Sequence, residues 1–245
     1  MARMVAFASQ KGGVGKTVMA QAFAVHMAGK RSNKLKPVLM ADLDIGQRST
    51  MEWVEARKQN GFKPVIEATL VDPELHVDFG ASLIAQDNGL IIADAAGWSD
   101  EKSLRLAGFS DLMVLPTGAS LADLRPTIRL MHELTDQGMT TDRVLIGLCK
   151  VANKREEREA RGYLNDAGYE ALPSMIRESV AVRDLQDLGQ SVLEAGNDLL
   201  RNGAGKMIGA IDTALTQQIK RMTKQPHKFE LKADRFKLES ENEGR

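Results

Sequence analysis

The sequence predicts an α/β fold: a doubly wound, mostly parallel sheet with helices on both faces. Three observations lead there. Short apolar runs recur along the chain with helix-length stretches between them, the rhythm of strands joined by crossover helices. Runs such as LIIAD and DLMVLP do not alternate polar with apolar, as expected of central strands covered on both sides. The first run also leads straight through a glycine-rich turn into a helical stretch, the junction typical of such folds.

Taken in order, MVAFA is the first strand and a helix follows from Lys16 to Lys30. VLMADLD is the second strand, followed by a helix from Gln47 to Gln59. PVIEATL, LIIADAA and DLMVLP read as further strands, then a helix runs from Ser120 to Gln137. The strand RVLIGLC precedes a helix from Asn153 to Ala167, and a weaker strand, YEALP, precedes one from Val180 to Leu188. A last helix spans about Gly205 to Arg221. With no internal repeat and no Pro/Gly/Ser linker, residues 1–224 are expected to form one domain. Residues 225–245, with Pro226, many charges and little apolar periodicity, form a charged C-terminal tail of partly disordered character.

Composition narrows the class. The 245 residues carry a formal net charge of zero, so global electrostatics single out neither a nucleic acid nor a membrane. Locally, the segment from Lys220 to Lys237 is basic, while the closing ESENEGR leans acidic. Neither a leader with a cleavage site nor a spanning apolar segment is evident, so a cytoplasmic location is expected. The single cysteine, Cys149, allows no intrachain disulfide and reads as a small buried hydrophobe.

The stretch SQKGGVGKTV, residues 9–18, carries the chemistry. A strand, a glycine loop and a helix in succession aim backbone N–H groups and a helix N-terminus at a phosphate chain. Gly12, Gly13 and Gly15 let the backbone turn and approach the phosphates. Lys16 neutralises the β- and γ-phosphates and the Thr17 hydroxyl ligates Mg²⁺ in such loops, while Val14 and Val18 offer backbone N–H groups. Carboxylates close two other apolar runs: Asp42 and Asp44 in VLMADLD, and Asp94 in LIIAD. Helix caps or strand-end turns are the alternative use of each aspartate.

The loop departs from the common G-x-x-x-x-G-K-[ST] spacing, because Gln10 stands where its first glycine should be and Lys11 follows. Residues Lys11 to Thr17, K-G-G-V-G-K-T, resemble the deviant Walker A motif of the ParA/MinD family of ATPases. The resemblance continues through DIGQRS, closer to the MinD wording, and through PTGASLADLRPT and MIRESVAVRDLQDLGQSVLE, covering about residues 3–215. It implies a P-loop fold that binds ATP and Mg²⁺ and forms an ATP-dependent homodimer in which Lys11 reaches the partner subunit's phosphates. It further implies that Asp44 activates the attacking water, that Asp42 and Asp94 serve the metal together with Thr17, and that Asn153 contributes to the adenine pocket. The AAGWSDEK that follows Asp94 lacks the family's usual proline, and Trp98 there is either a partner contact or a packed aromatic.

The same resemblance implies a compact partition or cargo-positioning ATPase stimulated by a ParB-like or other adaptor, nucleoid-associated when it holds ATP. Its ATP dimer would bind DNA without sequence preference through Arg201, Lys206, Lys220, Arg221 and Lys224, although a solvated charged face explains each residue equally well. A MinD-like membrane-positioning protein ranks second, since apolar residues of the tail fit one helical stripe only in part. A metabolic P-loop enzyme stays open as a third reading; an iron–sulfur relative is excluded by the lone cysteine.

Overall fold

The computed structural model describes residues 3–30, 37–72, 89–97 and 100–224. In chain order they form β1 (Arg3–Ser9), α1 (Lys16–Gly29), β2 (Val38–Asp42), α2 (Ser49–Gln59), β3 (Glu67–Leu70), β4 (Leu90–Gly97) and α3 (Asp100–Phe109). There follow β5 (Leu112–Thr117), α4 (Leu121–Asp136), β6 (Val144–Val151), α5 (Lys154–Asp166), β7 (Ile176–Arg177), α6 (Val180–Asp187) and α7 (Asp198–Lys224). These strands make a seven-stranded sheet in the order β3-β2-β4-β1-β5-β6-β7. Every pairing in it is parallel. The expected doubly wound α/β class is what the chain adopts.

Unbroken apolar runs become central strands because period-2 alternation feeds two cores at once. In β1, Met4, Ala6 and Ala8 face the core built with α3, α4 and α5, whereas Val5 and Phe7 face the one built with α1, α2 and α7. Phe7 packs on Phe23 of α1 with ring centroids 6.0 Å apart. Burying a side chain of this size stabilises the fold by about 1.5–3 kcal/mol.

Three elements differ from expectation. YEALP supplies only an isolated bridge, Ala171 to Ile146, and the edge strand is Ile176–Arg177. Pro173 interrupts the earlier run and Ser174 has φ 68, so the chain turns before it pairs. Helix α3 was not anticipated, because its charged start, DEKS, hides the apolar turn of Leu104, Leu106 and Ala107. Helix α7 begins at Asp198 rather than near Gly205. Its buried stripe of Leu200, Ala204, Met207, Ile208, Ile211 and Leu215 outweighs the roughly 1 kcal/mol that each helical glycine costs. Gly203 also has a packing reason: a Cβ there would stand 2.9 Å from the Met175 carbonyl oxygen.

Candidate functional site

Because β1 lies between β4 and β5, the loop after it rises from the middle of the sheet, at the carboxyl ends where doubly wound folds bind ligands. A cavity of about 320 Å³ opens there, lined by Gly12, Gly13, Gly15, Lys16, Thr17 and Val18 together with Asp42, Asp44 and Asp94. The structure thus gathers residues from three strand ends that the sequence had proposed separately. Val14 is buried and lines an adjoining cavity. Gly15, the N-cap of α1, has φ 103, and a Cβ on it would lie 2.8 Å from Cys149 Cβ. Only glycine satisfies both constraints. Gly12, by contrast, faces open space. Helix α1 has no side-chain cap and no acidic residue in its first turn, so its first N–H groups and positive dipole end remain available to an anion.

Lys16 is almost fully buried, and its Nζ donates to Ser9 Oγ at 3.2 Å and to the Lys11 carbonyl at 3.1 Å. Burial lowers its pKa, against the opposing pull of the Asp94 and Asp44 carboxylates. Asp44 is half-buried, and its Oδ1 accepts the Gln47 N–H at 3.0 Å.

Asp42 lines the cavity and also takes the capping role that the sequence offered as its alternative. Its Oδ1 accepts the Asp44 N–H at 3.1 Å, and its Oδ2 accepts the N–H groups of Thr50 and Met51 at 3.0 and 3.1 Å. It therefore satisfies the orphan donors at the start of α2, and desolvation raises its pKa despite those bonds. Thr50, which the sequence reading missed, joins it to Asp94: the Thr50 hydroxyl donates to Asp94 Oδ2 at 2.8 Å. Asp94 Oδ1 is buried with no hydrogen-bond partner. Burial pushes the Asp94 pKa up to about 6, although the Thr50 and Thr17 hydroxyls favour the carboxylate.

Lys11 is kept out of this cavity. Its Nζ bonds Asp123 Oδ1 in the first turn of α4, and both residues line the adjoining cavity, about 480 Å³ in volume. Burial raises the Asp123 pKa, but hydrogen bonds from Lys11 and Ser120 win and leave it lowered. Nothing in the sequence marked Asp123, which lies 112 positions from its partner.

The remaining candidates scatter. Asn153 caps α5, its side chain accepting the Arg155 and Glu156 N–H groups at 3.0 and 3.1 Å; it lines neither cavity. Ile176, Arg177, Ser179, Val182 and Gln186 also line the main cavity. On α7, Arg201 bonds Asp198 and the Ala195 carbonyl, and Arg221 pairs with Asp142. Lys206 and Lys220 are exposed. Trp98, the side chain of Lys224 and the tail 225–245 lie outside the described residues. Lys150, unremarked in the sequence, lines both cavities. Cys149 is buried as expected, with its thiol pushed up to about 12 by desolvation.

Comparison with known proteins agrees with this geometry. Residues 5–223 match the CobQ/CobB/MinD/ParA nucleotide binding domain. A maintenance of carboxysome distribution protein A from Gloeobacter kilaueensis is 30% identical over 195 residues, spanning 78% of this chain and 84% of that protein. Among solved structures, the septum site-determining protein MinD of Pyrococcus horikoshii complexed with Mg-ADP superimposes with a TM-score of 0.67 at 16% identity, covering 89% of this chain and 99% of that one. A ParA family ATPase from Chlorobium tepidum gives 0.63 at 19% identity, covering 87% and 98%. With a glycine loop before an uncapped helix, a buried lysine and three aspartates in or just after β2 and β4 within the matched region, the chain belongs to the MinD/ParA family of nucleotide-binding ATPases.

Proposed function

We propose that the protein is an ATP-dependent dimerising switch for DNA partition or cargo positioning, whose ATP dimer binds DNA without sequence preference and whose hydrolysis is stimulated by a ParB-like or other adaptor. The observation that carries this reading is the division of labour between two lysines: Lys16 sits in the phosphate cavity while Lys11 is held by Asp123 outside it. A cation that does not serve its own cavity is placed to serve another, as an arginine finger supplied by a second subunit does. A second copy of this chain is the partner that fits. The carboxysome-distribution protein it resembles is a relative named for positioning a cargo, which favours that class over a metabolic enzyme.

Mg²⁺ fits the donor set, because Asp94 keeps one buried oxygen, Oδ1, without a hydrogen-bond partner, and the Thr17 hydroxyl acts on the same carboxylate. Thr17 and Asp94 would hold the ion, with Asp42 acting through Thr50. When bound, it draws charge from the phosphate oxygens. Lys16 and the free N–H groups of α1 bind and orient the phosphate chain; Asp44, at the cavity wall, orients the attacking water and takes its proton. Ile176, Ser179, Val182 and Gln186 flank the region left for the base and ribose.

The test is co-sedimentation of the Asp44→Ala protein with duplex DNA and, in parallel, with anionic liposomes, each with ATP, ADP or no nucleotide. DNA binding that needs ATP and weakens as salt rises is the expected result. ATP-dependent binding to liposomes alone would replace this reading with a membrane-positioning ATPase.

A further inference from the structure

Lys150 lines the phosphate cavity, as Arg177 and Arg183 do, and this reading leaves it without a task. It belongs to β6, whose register with β7 shifts between Cys149 and Val151. Along β6, Val144, Ile146 and Leu148 feed one core, and the next residue to enter that core is Val151 rather than residue 150. One residue is therefore extra. The bulge seats Val151 where strict alternation would have buried a lysine, and it turns Lys150 outward with φ 53. That region of backbone space is unfavourable for a lysine, and bulges next to functional sites commonly re-aim one side chain.

The side chain is aimed at the loop. Lys150 Nζ lies 3.9 Å from where a Cβ on Gly13 would stand, on the rim shared by the phosphate cavity and the cavity of Lys11. It makes no hydrogen bond or ion pair among the described residues. Asp123, Glu156 and Glu178 share the second cavity with it, and its charge already helps to hold down the Asp123 pKa.

We propose that Lys150 is a second phosphate-binding lysine acting within its own subunit, its ammonium donating to an oxygen of the phosphate chain of a nucleoside di- or triphosphate. The inference rests on the nucleotide reading of the cavity. Lys16 is buried beneath the loop and Lys11 is engaged by Asp123, whereas Lys150 lines both cavities with its ammonium beside Gly13 of the loop itself. The competing arrangement keeps Lys150 with the carboxylates of Asp123 or Glu178, in which case nucleotide affinity does not depend on it.

Calorimetric titration of the full chain with Mg-ADP and with a non-hydrolysable Mg-ATP analogue decides between them. The variants are Lys150→Met, Lys150→Arg and Lys150→Gly, with thermal unfolding of each nucleotide-free protein measured alongside. Loss of one charge-assisted hydrogen bond predicts affinity weaker by about tenfold or more for Lys150→Met, largely restored by Lys150→Arg. Lys150→Gly should lose affinity similarly while its nucleotide-free Tm holds or rises, since glycine suits the left-handed position. Affinities within twofold of wild type for the Met and Gly variants overturn the inference; so does a loss confined to the Met variant that follows a fall in its nucleotide-free Tm. A wild-type protein that binds neither ligand removes the nucleotide reading itself, a result distinguishable from both.

Discussion

Lys11 makes the sharpest prediction at the level of single residues. Its ion pair with Asp123 is partly exposed, with the lysine side chain 47% accessible, and such pairs contribute up to about 1 kcal/mol. If Lys11 must leave Asp123 to enter a partner's site, breaking the pair from the other side favours the dimer. Asp123→Ala should therefore raise the ATP-dependent dimer association constant by up to about thirtyfold, measured by analytical ultracentrifugation, because a symmetric dimer breaks two such pairs. Lys11→Ala should keep nucleotide binding and lose turnover that rises with protein concentration; normal turnover in that variant would defeat the trans role. The loop itself was legible because its parts are contiguous in the chain. Asp123 and Thr50 were not, since their partners Lys11 and Asp94 are brought to them only by the strand order. Asn153 has a local task that the sequence reading did not weigh: an asparagine before a helix accepts the helix's own N–H groups.

Among elements, the joint between α1 and α7 offers a pH test away from the phosphate cavity. Asp212 of α7 lies 2.9 Å from His26 Nε2 and accepts from Lys30 Nζ at 2.6 Å. Burial raises the Asp212 pKa, but these two partners outweigh it and leave it lowered. A lowered carboxylate pKa means that the charged form favours the folded state. Its contribution is complete above the ordinary value of 3.8 and disappears as pH falls through the lowered native one. Asp212→Asn should cost about 1 kcal/mol at pH 7, with its Tm converging on wild type as the pH drops below 3.8. A gap that persists in acid would assign the loss to packing instead. Central strands were the most legible elements, because burial on both faces leaves continuous apolar runs. The edge strand β7 and helix α3 were the least. One is two residues long, and the other declares its apolar face only after a charged first turn.

For the whole molecule, α7 tests whether the proposed ATP dimer would meet DNA. Arg201 and Arg221 are committed to Asp198 and Asp142, so Lys206 and Lys220 are the exposed cations on this helix best placed to meet phosphate. Replacing both with glutamate should weaken ATP-dependent DNA retention and flatten its dependence on salt, each lost phosphate contact lowering the slope of log K against log salt by about one. Unchanged retention in a salt series would move the DNA surface off α7. The contact between Gly15 and Cys149 has a practical consequence for such work. The chain's one thiol lies beneath the phosphate loop, 1% accessible, with a pKa near 12, so little thiolate exists to react at neutral pH. A cysteine introduced on an exposed helix face could then be coupled to a maleimide dye in the otherwise native background, and energy transfer between two such subunits would follow assembly and release in real time.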